Sequence, residues 1–406
     1  MVSKRKYILT VVVVAFVAVF LTLTLGNVFL VEIGQKVFLS KDEYLQMREM
    51  YEKYAKQEKV MQIAQRDFLY EADEEMMLKG ALQGTLKALG DPYTQFMTKE
   101  EFDALMQDTE GSYEGIGVYI TASDDNKIII VSPIEDTPAE KAGLKTGDKI
   151  IRINGIEYTA DQINAAVNVM KGAPGTSVTL TIQRVLPDGS QNVSDVVVNR
   201  EKIRINTVKS SILADDIGYI RITTFDMQTA SDFKAAYKTL KNKGMKGLVI
   251  DLRFNPGGMI NSTVEITDVF MGEGIVTYTK TKSGEIEYFK SDAKSEDIPI
   301  VILINEGSAS ASEIMAGAMK DTKRAVLVGN KTFGKGIVQK VQRFGNEGEG
   351  IKMTVSEYFT PAGINIHGVG IEPDIEIQLP EDAEGYGYEF YETDTQLQKA
   401  VEILRK

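Results

Sequence analysis

Residues 7–25 run without a single charge and are built mainly from Val, Leu, Ile, Phe and Ala. A helix rising about 1.5 Å per residue over such a run just crosses the hydrocarbon core of a bilayer. Lys4, Arg5 and Lys6 sit on its short N-terminal side, which predicts a cytoplasmic N-terminus and export of everything after Gly26. The alternative is a secretory signal removed after export. The run is longer than the apolar core of most such signals, and no small-x-small site follows it, so the pattern reads as an uncleaved anchor. From about Glu43 to Gln107 the periodicity is helical, broken at Gly90-Asp91-Pro92, where proline and glycine stop the chain. Thr98 followed by Glu101 has the spacing of a capping box opening the next helix. Such a helical region either packs on the body of the protein or pairs with a second copy of itself.

Near Gly111 the period shortens. Runs at 117–121, 127–131, 149–153 and 178–183 read as strands. They are separated by a short helix stopped at Gly143 and by a second helix over 160–170, ahead of Lys171-Gly172. The unit over 111–200, roughly ninety residues, has the size of a small domain. After 205, apolar strands at 218–223, 247–252, 298–304 and 324–328 alternate with helices over 231–243 and 312–320. Continuous apolar strands between helices predict a sheet covered on both faces.

Composition narrows the chemistry. The chain of 406 residues carries a net charge of -12, which disfavours nucleic acid as a partner. It has no cysteine and one histidine, His367. Disulfides, thiol nucleophiles and cysteine-bound zinc are thereby excluded.

Two segments carry candidate chemistry. In Asn305-Glu306-Gly307-Ser308-Ala309-Ser310-Ala311-Ser312-Glu313, a serine at a strand-to-helix turn exposes its hydroxyl, and the helix N-terminus offers amides to a developing oxyanion. The same serines would also serve as ordinary N-caps. In Thr332-Phe333-Gly334-Lys335-Gly336-Ile337-Val338-Gln339, glycines leave the lysine uncrowded among apolar residues, where desolvation would make it a neutral base. A lysine in a hairpin turn is the plainer reading. The only histidine, His367, lies in a strand-like stretch and reads as a structural residue, so a serine nucleophile would turn to lysine. Asp251-Leu252-Arg253-Phe254-Asn255-Pro256-Gly257-Gly258 ends an apolar strand with two glycines able to present bare amides.

Together with Thr360-Pro361-Ala362-Gly363 and Gly368-Val369-Gly370-Ile371-Glu372-Pro373-Asp374, these segments resemble, in order and spacing, the carboxyl-terminal processing peptidases, or tail-specific proteases. The resemblance covers nearly everything after Gly80. It implies a serine endopeptidase with an α/β (α+β) catalytic core, a mixed sheet covered by helices, an inserted β-rich PDZ-like domain, an N-terminal helical region and one transmembrane helix. The boundaries expected are a cytoplasmic tail at 1–6, an anchor at 7–26, a helical region at 27–110, the PDZ-like domain at 111–200, the peptidase core at 201–380, and a connector and last helix at 381–406.

Residue by residue, the resemblance implies Ser310 as nucleophile, Lys335 as general base and Gln339 as the side chain orienting the lysine. The amides of Ala311 and Gly258 become the oxyanion donors, and no metal or cofactor is implied. Gly115, Ile116, Gly117 and Val118 correspond to the loop that holds a peptide's C-terminal carboxylate. Lys171 stands where relatives usually carry arginine, a position implied to couple tail binding to activation; lysine keeps the charge and loses the bidentate fork. The partners implied are flexible C-terminal tails of exported proteins, the membrane, and a second copy through the helical region. A silent tail-binding scaffold is the reading from another class; it would show loss of the serine or the lysine, and both are present.

Overall fold

The computed structural model describes residues 3–25, 31–33, 36–38, 40–380 and 383–405. The chain forms two compact units, residues 1–85 and 86–406.

In the first unit the apolar run is the helix Lys4–Leu25. Its stretch Lys4–Thr22 has a mean hydropathy of 2.0 and exposed side chains. It is long and apolar enough to cross a membrane, a property an anchor and a signal sequence share. Gly26, the expected last residue of the span, lies outside the described residues. The helix Lys41–Asp67 opens on a capping box between Ser40 and Glu43 and buries none of its side chains. It stops at Phe68, a break the sequence pattern did not indicate, and Glu74–Lys87 is a separate helix.

In the second unit, Gly90-Asp91-Pro92 interrupts the helical region as expected. A short strand, Gln95–Met97, follows, then the helix Lys99–Glu110 with the predicted Thr98–Glu101 box and Gly111 as a left-handed cap (φ 67°). The strands Ser112–Gly115 and Glu201–Arg204 then pair antiparallel. The chain between them folds into an antiparallel sheet ordered Gln191–Asn199, Ser177–Val185, Lys149–Ile153, Ile128–Pro133, Val118–Ala122. Its core holds Ile116, Ile130, Ile150, Leu180 and Val198, with Ala166 and Met170 from the helix Ile163–Met170. The strand Gln191–Asn199 escaped the sequence reading because it lies on the sheet edge, where Gln191, Asn192 and Asp195 are exposed together with Val193 and Val197, so no clean apolar alternation marks it.

The larger sheet of the remaining chain runs Val208–Ile212, Ile217–Ile222, Gly247–Asp251, Ile300–Ile304, Val326–Gly329, Ile375–Glu376, all parallel except the first pair. Alternation along the strands splits the apolar residues between two faces. Leu248, Ile250, Leu252, Ile302 and Ile304 pack with the helices Thr229–Asn242, Ile260–Asp268 and Ala311–Asp321. Val249, Val301, Leu303 and Val328 pack under the final helix Thr395–Leu404. Coverage of both faces is the arrangement the continuous apolar runs predicted.

A second, antiparallel sheet was not foreseen. It is ordered Ile286–Ser291, Gly274–Thr281, Glu349–Phe359, Ile337–Phe344, with Gln95–Met97 also pairing with Glu349–Phe359. Its strands carry Thr, Lys, Glu and Tyr on an exposed face, so no continuous apolar run marks them. Around His367 the strand-like reading is corrected: Asn365 makes one isolated bridge to Phe359, and residues 367–369 form a turn.

Candidate active site

The strand Ile300–Ile304 delivers the chain to Asn305, whose side-chain oxygen accepts the N–H groups of Phe254 (2.8 Å) and Gly307 (3.1 Å). This joins the two strand-end loops of the parallel sheet. The serine triplet then separates by burial. Ser308 is buried and its hydroxyl donates to the Leu252 carbonyl at 2.8 Å; Ser312 is buried and donates to that of Asn255 at 3.0 Å. Ser310 is partly exposed and makes no side-chain cap bond. Its backbone, at φ 54° and ψ -113°, lies outside the helical region, a strain of about 1–3 kcal/mol that the surrounding bonds hold in place.

Lys335 is half-buried just ahead of the strand Ile337–Phe344. Its Nζ donates to Gln339 Oε1 at 3.1 Å, and Gln339 Nε2 donates to the Tyr93 carbonyl at 2.8 Å. Burial pushes the lysine below its ordinary value because the charged form loses water. Lys352 adds to that shift, while Asp91 and Glu313 act against it. Ser310, Lys335 and Gln339 line one cleft together with Gly257 and Gly258.

The glycines flanking Lys335 have a different cause from the one the sequence suggested. A Cβ on Gly334 (φ 88°) would lie 2.9 Å from the Gly370 amide nitrogen, and one on Gly336 would lie 2.5 Å from that of His367. They admit the 367–370 turn. Across the cleft, Gly257 (φ 103°) and Gly258 (φ 138°) have the backbone of residues without a side chain. A Cβ on Gly257 would stand 2.8 Å from both the Ala311 nitrogen and Ser310 Cβ. Among the described residues no acceptor engages the amide of Ala311 or of Gly258. His367 is exposed, its backbone N–H donates to Asn365 Oδ1 at 2.8 Å, and it lines a different groove beside Lys280 and Glu357.

Residues 216–377 match the profile of peptidase family S41, residues 129–184 that of a PDZ domain, and residues 29–101 that of the N-terminal domain of the activating protease CtpB. The carboxy-terminal-processing protease of Bartonella bacilliformis is 39% identical over 324 residues, 77% of this chain and 73% of that protein. The chain belongs to the carboxy-terminal processing protease family. The carboxy-terminal processing protease CtpA of Bacillus subtilis is 34% identical over 381 residues, 93% of this chain and 78% of the relative. The crystal structure of a putative S41 protease from Bacteroides fragilis shares the fold, with a TM-score of 0.51 at 15% identity, covering 85% of this chain and 96% of that one. As a member of this family the chain is a serine-type peptidase with a PDZ domain.

The groove on the PDZ domain brings together the sequence-predicted Gly115, Ile116, Gly117 and Val118 with Lys171. The carbonyls of Ile116 and Gly117 turn inward, accepting from Ala139 N and from Ile134 N and Thr137 Oγ1 respectively. Lys171 Nζ donates to Gln107 of the helix Lys99–Glu110 at 3.2 Å. Tyr113 was missed: its ring would lie 3.0 Å from a Cβ on Gly115, and burial pushes its hydroxyl up to about 12, offset by the amides of Val118 and Gly117.

Glu313 was also missed, although Ser310-x-x-Glu313 has capping-box spacing. Fully buried, it accepts from Ser310 N, Lys335 N and Gly334 N at 2.8 Å each and from Thr332 Oγ1 at 2.6 Å.

Proposed function

We propose that the chain is a Ser-Lys endopeptidase that cleaves exported proteins at or near their C-terminal tails, with Ser310 as nucleophile, Lys335 as general base and Gln339 orienting the lysine. The observation that carries this is the half-buried, cation-disfavouring Lys335, held by Gln339 in the cleft that Ser310 lines. Neutral Lys335 takes the Ser310 hydroxyl proton as Oγ bonds to the scissile carbonyl carbon. The carbonyl oxygen becomes an oxyanion held by the amides of Ala311 and Gly258. The C–N bond then breaks, Lys335 returns its proton to the leaving amine, and water attacks the acyl-enzyme by the same proton route. Phe225, Met259, Ile260, Ile314 and Tyr358 around the cleft favour an apolar residue on the acyl side.

The PDZ groove would receive the substrate's C-terminus, its apolar side chain against Ile120, Ile134, Val167 and Met170 and its carboxylate on the amides of 115–118. Asp108, in the last turn of the helix Lys99–Glu110, lines both groove and cleft, so a tail leaving one enters the other. Lys171, bonded to that helix through Gln107, is the candidate coupler of tail binding to activation. The domain boundaries given above are those of this proposal: a PDZ domain at 111–200 inserted before a core at 201–380, and an anchor at 7–26 that leaves both outside the cytoplasm. The helix Lys41–Asp67 exposes Tyr44, Leu45, Tyr51, Tyr54 and Ile63, which suits it to a second copy of the chain.

Full-length protein in detergent, with the Ser310→Ala and Lys335→Ala variants, tests the mechanism against fluorescently labelled β-casein. Both variants are expected to fold and to lose hydrolysis. Turnover retained in either would overturn the assignment.

A further inference from the structure

Gly90-Asp91-Pro92 reads in the sequence as punctuation that ends a helix, and the mechanism above makes no use of it. In the structure the turn has a second consequence. Asp91 accepts the Tyr93 N–H on Oδ1 (3.1 Å) and the Thr94 hydroxyl on Oδ2 (2.6 Å), an Asx-type turn that fixes the next two residues. Thr94 Oγ1 in turn accepts the Thr354 N–H at 3.0 Å, and Gln95–Met97 pairs in register with Gly350–Lys352. The turn is therefore fastened to the strand Glu349–Phe359, the direct neighbour of the strand Ile337–Phe344 that carries Gln339. It aims Tyr93 at the base. The Lys335 ammonium stands 4.6 Å from the centroid of the Tyr93 ring, and the Tyr93 carbonyl takes the Gln339 amide at 2.8 Å.

From this juxtaposition we infer that Tyr93 is a positioning residue for the general base: its ring face carries the ammonium formed when Lys335 takes the serine proton, and its carbonyl fixes the orientation of Gln339. The inference rests on the reading of Lys335 as base. A ring within about 6 Å of a partly desolvated cation stabilises that cation by its quadrupole. Gln339 can point its oxygen at the lysine only if its nitrogen has an acceptor, and Tyr93 provides it. Burial alone lowers the lysine's affinity for a proton, which makes a free base but a poor store for the proton until the amine leaves. An aromatic face supports the charged form without adding a carboxylate that would hold it permanently. The other charged and titratable groups facing Lys335 are Lys352 on the neighbouring strand, Asp91 in the turn and Glu313 on the nucleophile helix. Asp108, Glu287 and Tyr358 line the cleft beyond.

The test is the pH dependence of β-casein hydrolysis by the full chain in detergent. The variants are Tyr93→Phe, Tyr93→Leu, and a chain with 3,4,5-trifluorophenylalanine at position 93, which keeps the ring's shape and removes its negative face. Lys335→Ala is run beside them. Tyr93→Phe keeps the ring face and should retain the parental acid limb of kcat/KM; an acid limb displaced to lower pH in that variant would show that the hydroxyl and not the ring face supports the cation. The fluorinated ring and Tyr93→Leu should each lower kcat about tenfold at little change in KM. They should also move the acid limb of kcat/KM to lower pH, by about half a unit to one and a half units, because the cation loses its support. A parental kcat and acid limb with the fluorinated ring, while Lys335→Ala is inactive, would overturn the role of Tyr93 and leave the base assignment standing. Hydrolysis by Lys335→Ala would overturn both.

Discussion

One oxygen of the Glu313 carboxylate, Oε2, accepts the main-chain N–H groups of Ser310 and Lys335, each at 2.8 Å. The two residues of the proposed dyad come from loops that meet through this buried acceptor. In Glu313→Gln one acceptor oxygen becomes an NH2 donor facing N–H groups. Each donor left without a partner costs about 1–3 kcal/mol, and a loop displaced by an ångström costs about a hundredfold in rate. Denaturant unfolding together with β-casein turnover should show both losses in Glu313→Gln. Parental activity in that variant would remove Glu313 from the positioning machinery.

The pH profile should carry the mark of Lys335. Its folded-state proton affinity lies below that of an ordinary lysine, so the neutral base appears, and kcat/KM rises, at a pH below 10.5. Lys352 contributes to this by like-charge repulsion. Removing that charge in Lys352→Gln restores part of the proton affinity, and the acid limb of kcat/KM should move to higher pH. The unfolded chain binds more protons at this lysine than the folded chain does. Its contribution to stability therefore becomes less unfavourable as pH rises from the folded value toward 10.5. An acid limb that moves downward in Lys352→Gln contradicts the assignment of that limb to Lys335.

Among the described residues Arg253 is the largest fully buried side chain, and it bonds Asp251, Asp394 and Gln396 at 2.6–3.0 Å. It ties the end of the central strand, four residues before Gly257, to the helix Thr395–Leu404. Arg253→Met leaves two buried carboxylates without their partner, and breaking such a pair costs about 3–5 kcal/mol. Arg253→Lys keeps the charge but not the two-sided fork, and should recover only part of that loss. The midpoint of guanidinium unfolding measures both. A midpoint in Arg253→Met equal to the parent's would show that Asp251 and Asp394 are satisfied by other means.

Legibility in the sequence followed the physics of each part. The parallel sheet was readable because strands buried on both faces must be continuously apolar, as Ile300–Ile304 and Gly247–Asp251 are. The second sheet was hidden because Ile337–Phe344 and Glu349–Phe359 show solvent a face of Lys, Gln, Arg and Glu. The loops of Ser310 and Lys335 stood out by their dense glycine and serine patterns, and the roles expected of the two residues came from the resemblance. The choice among Ser308, Ser310 and Ser312 rested on resemblance; the fold buries Ser308 and Ser312 and leaves Ser310 partly exposed. Glu313 and Tyr93 were passed over for a common reason. Each does ordinary local work in the sequence, one capping a helix and the other following a proline turn, and only the tertiary fold brings them to Lys335.

Gly117 lies at φ 84° in the proposed carboxylate loop, where a Cβ would fall 2.4 Å from Thr137 Cβ. Thr137 cannot easily yield, since its hydroxyl donates to the Gly117 carbonyl at 3.1 Å and to that of Ile134 at 2.5 Å. Gly117→Ala therefore has to displace the 115–118 loop and misdirect its amides, with the strain of a left-handed alanine added. Binding of a fluorescent peptide ending in an apolar residue, followed by anisotropy on full-length Ser310→Ala carrying Gly117→Ala, should weaken at least tenfold. In the active background, KM for β-casein should rise. If kcat stays level, the PDZ groove only delivers tails. If kcat falls with it, the groove also governs the state of the cleft, and Lys171→Ala should reproduce that fall while leaving peptide affinity less affected. Unchanged peptide affinity in Gly117→Ala, with the domain still folded, would remove the 115–118 loop from tail recognition.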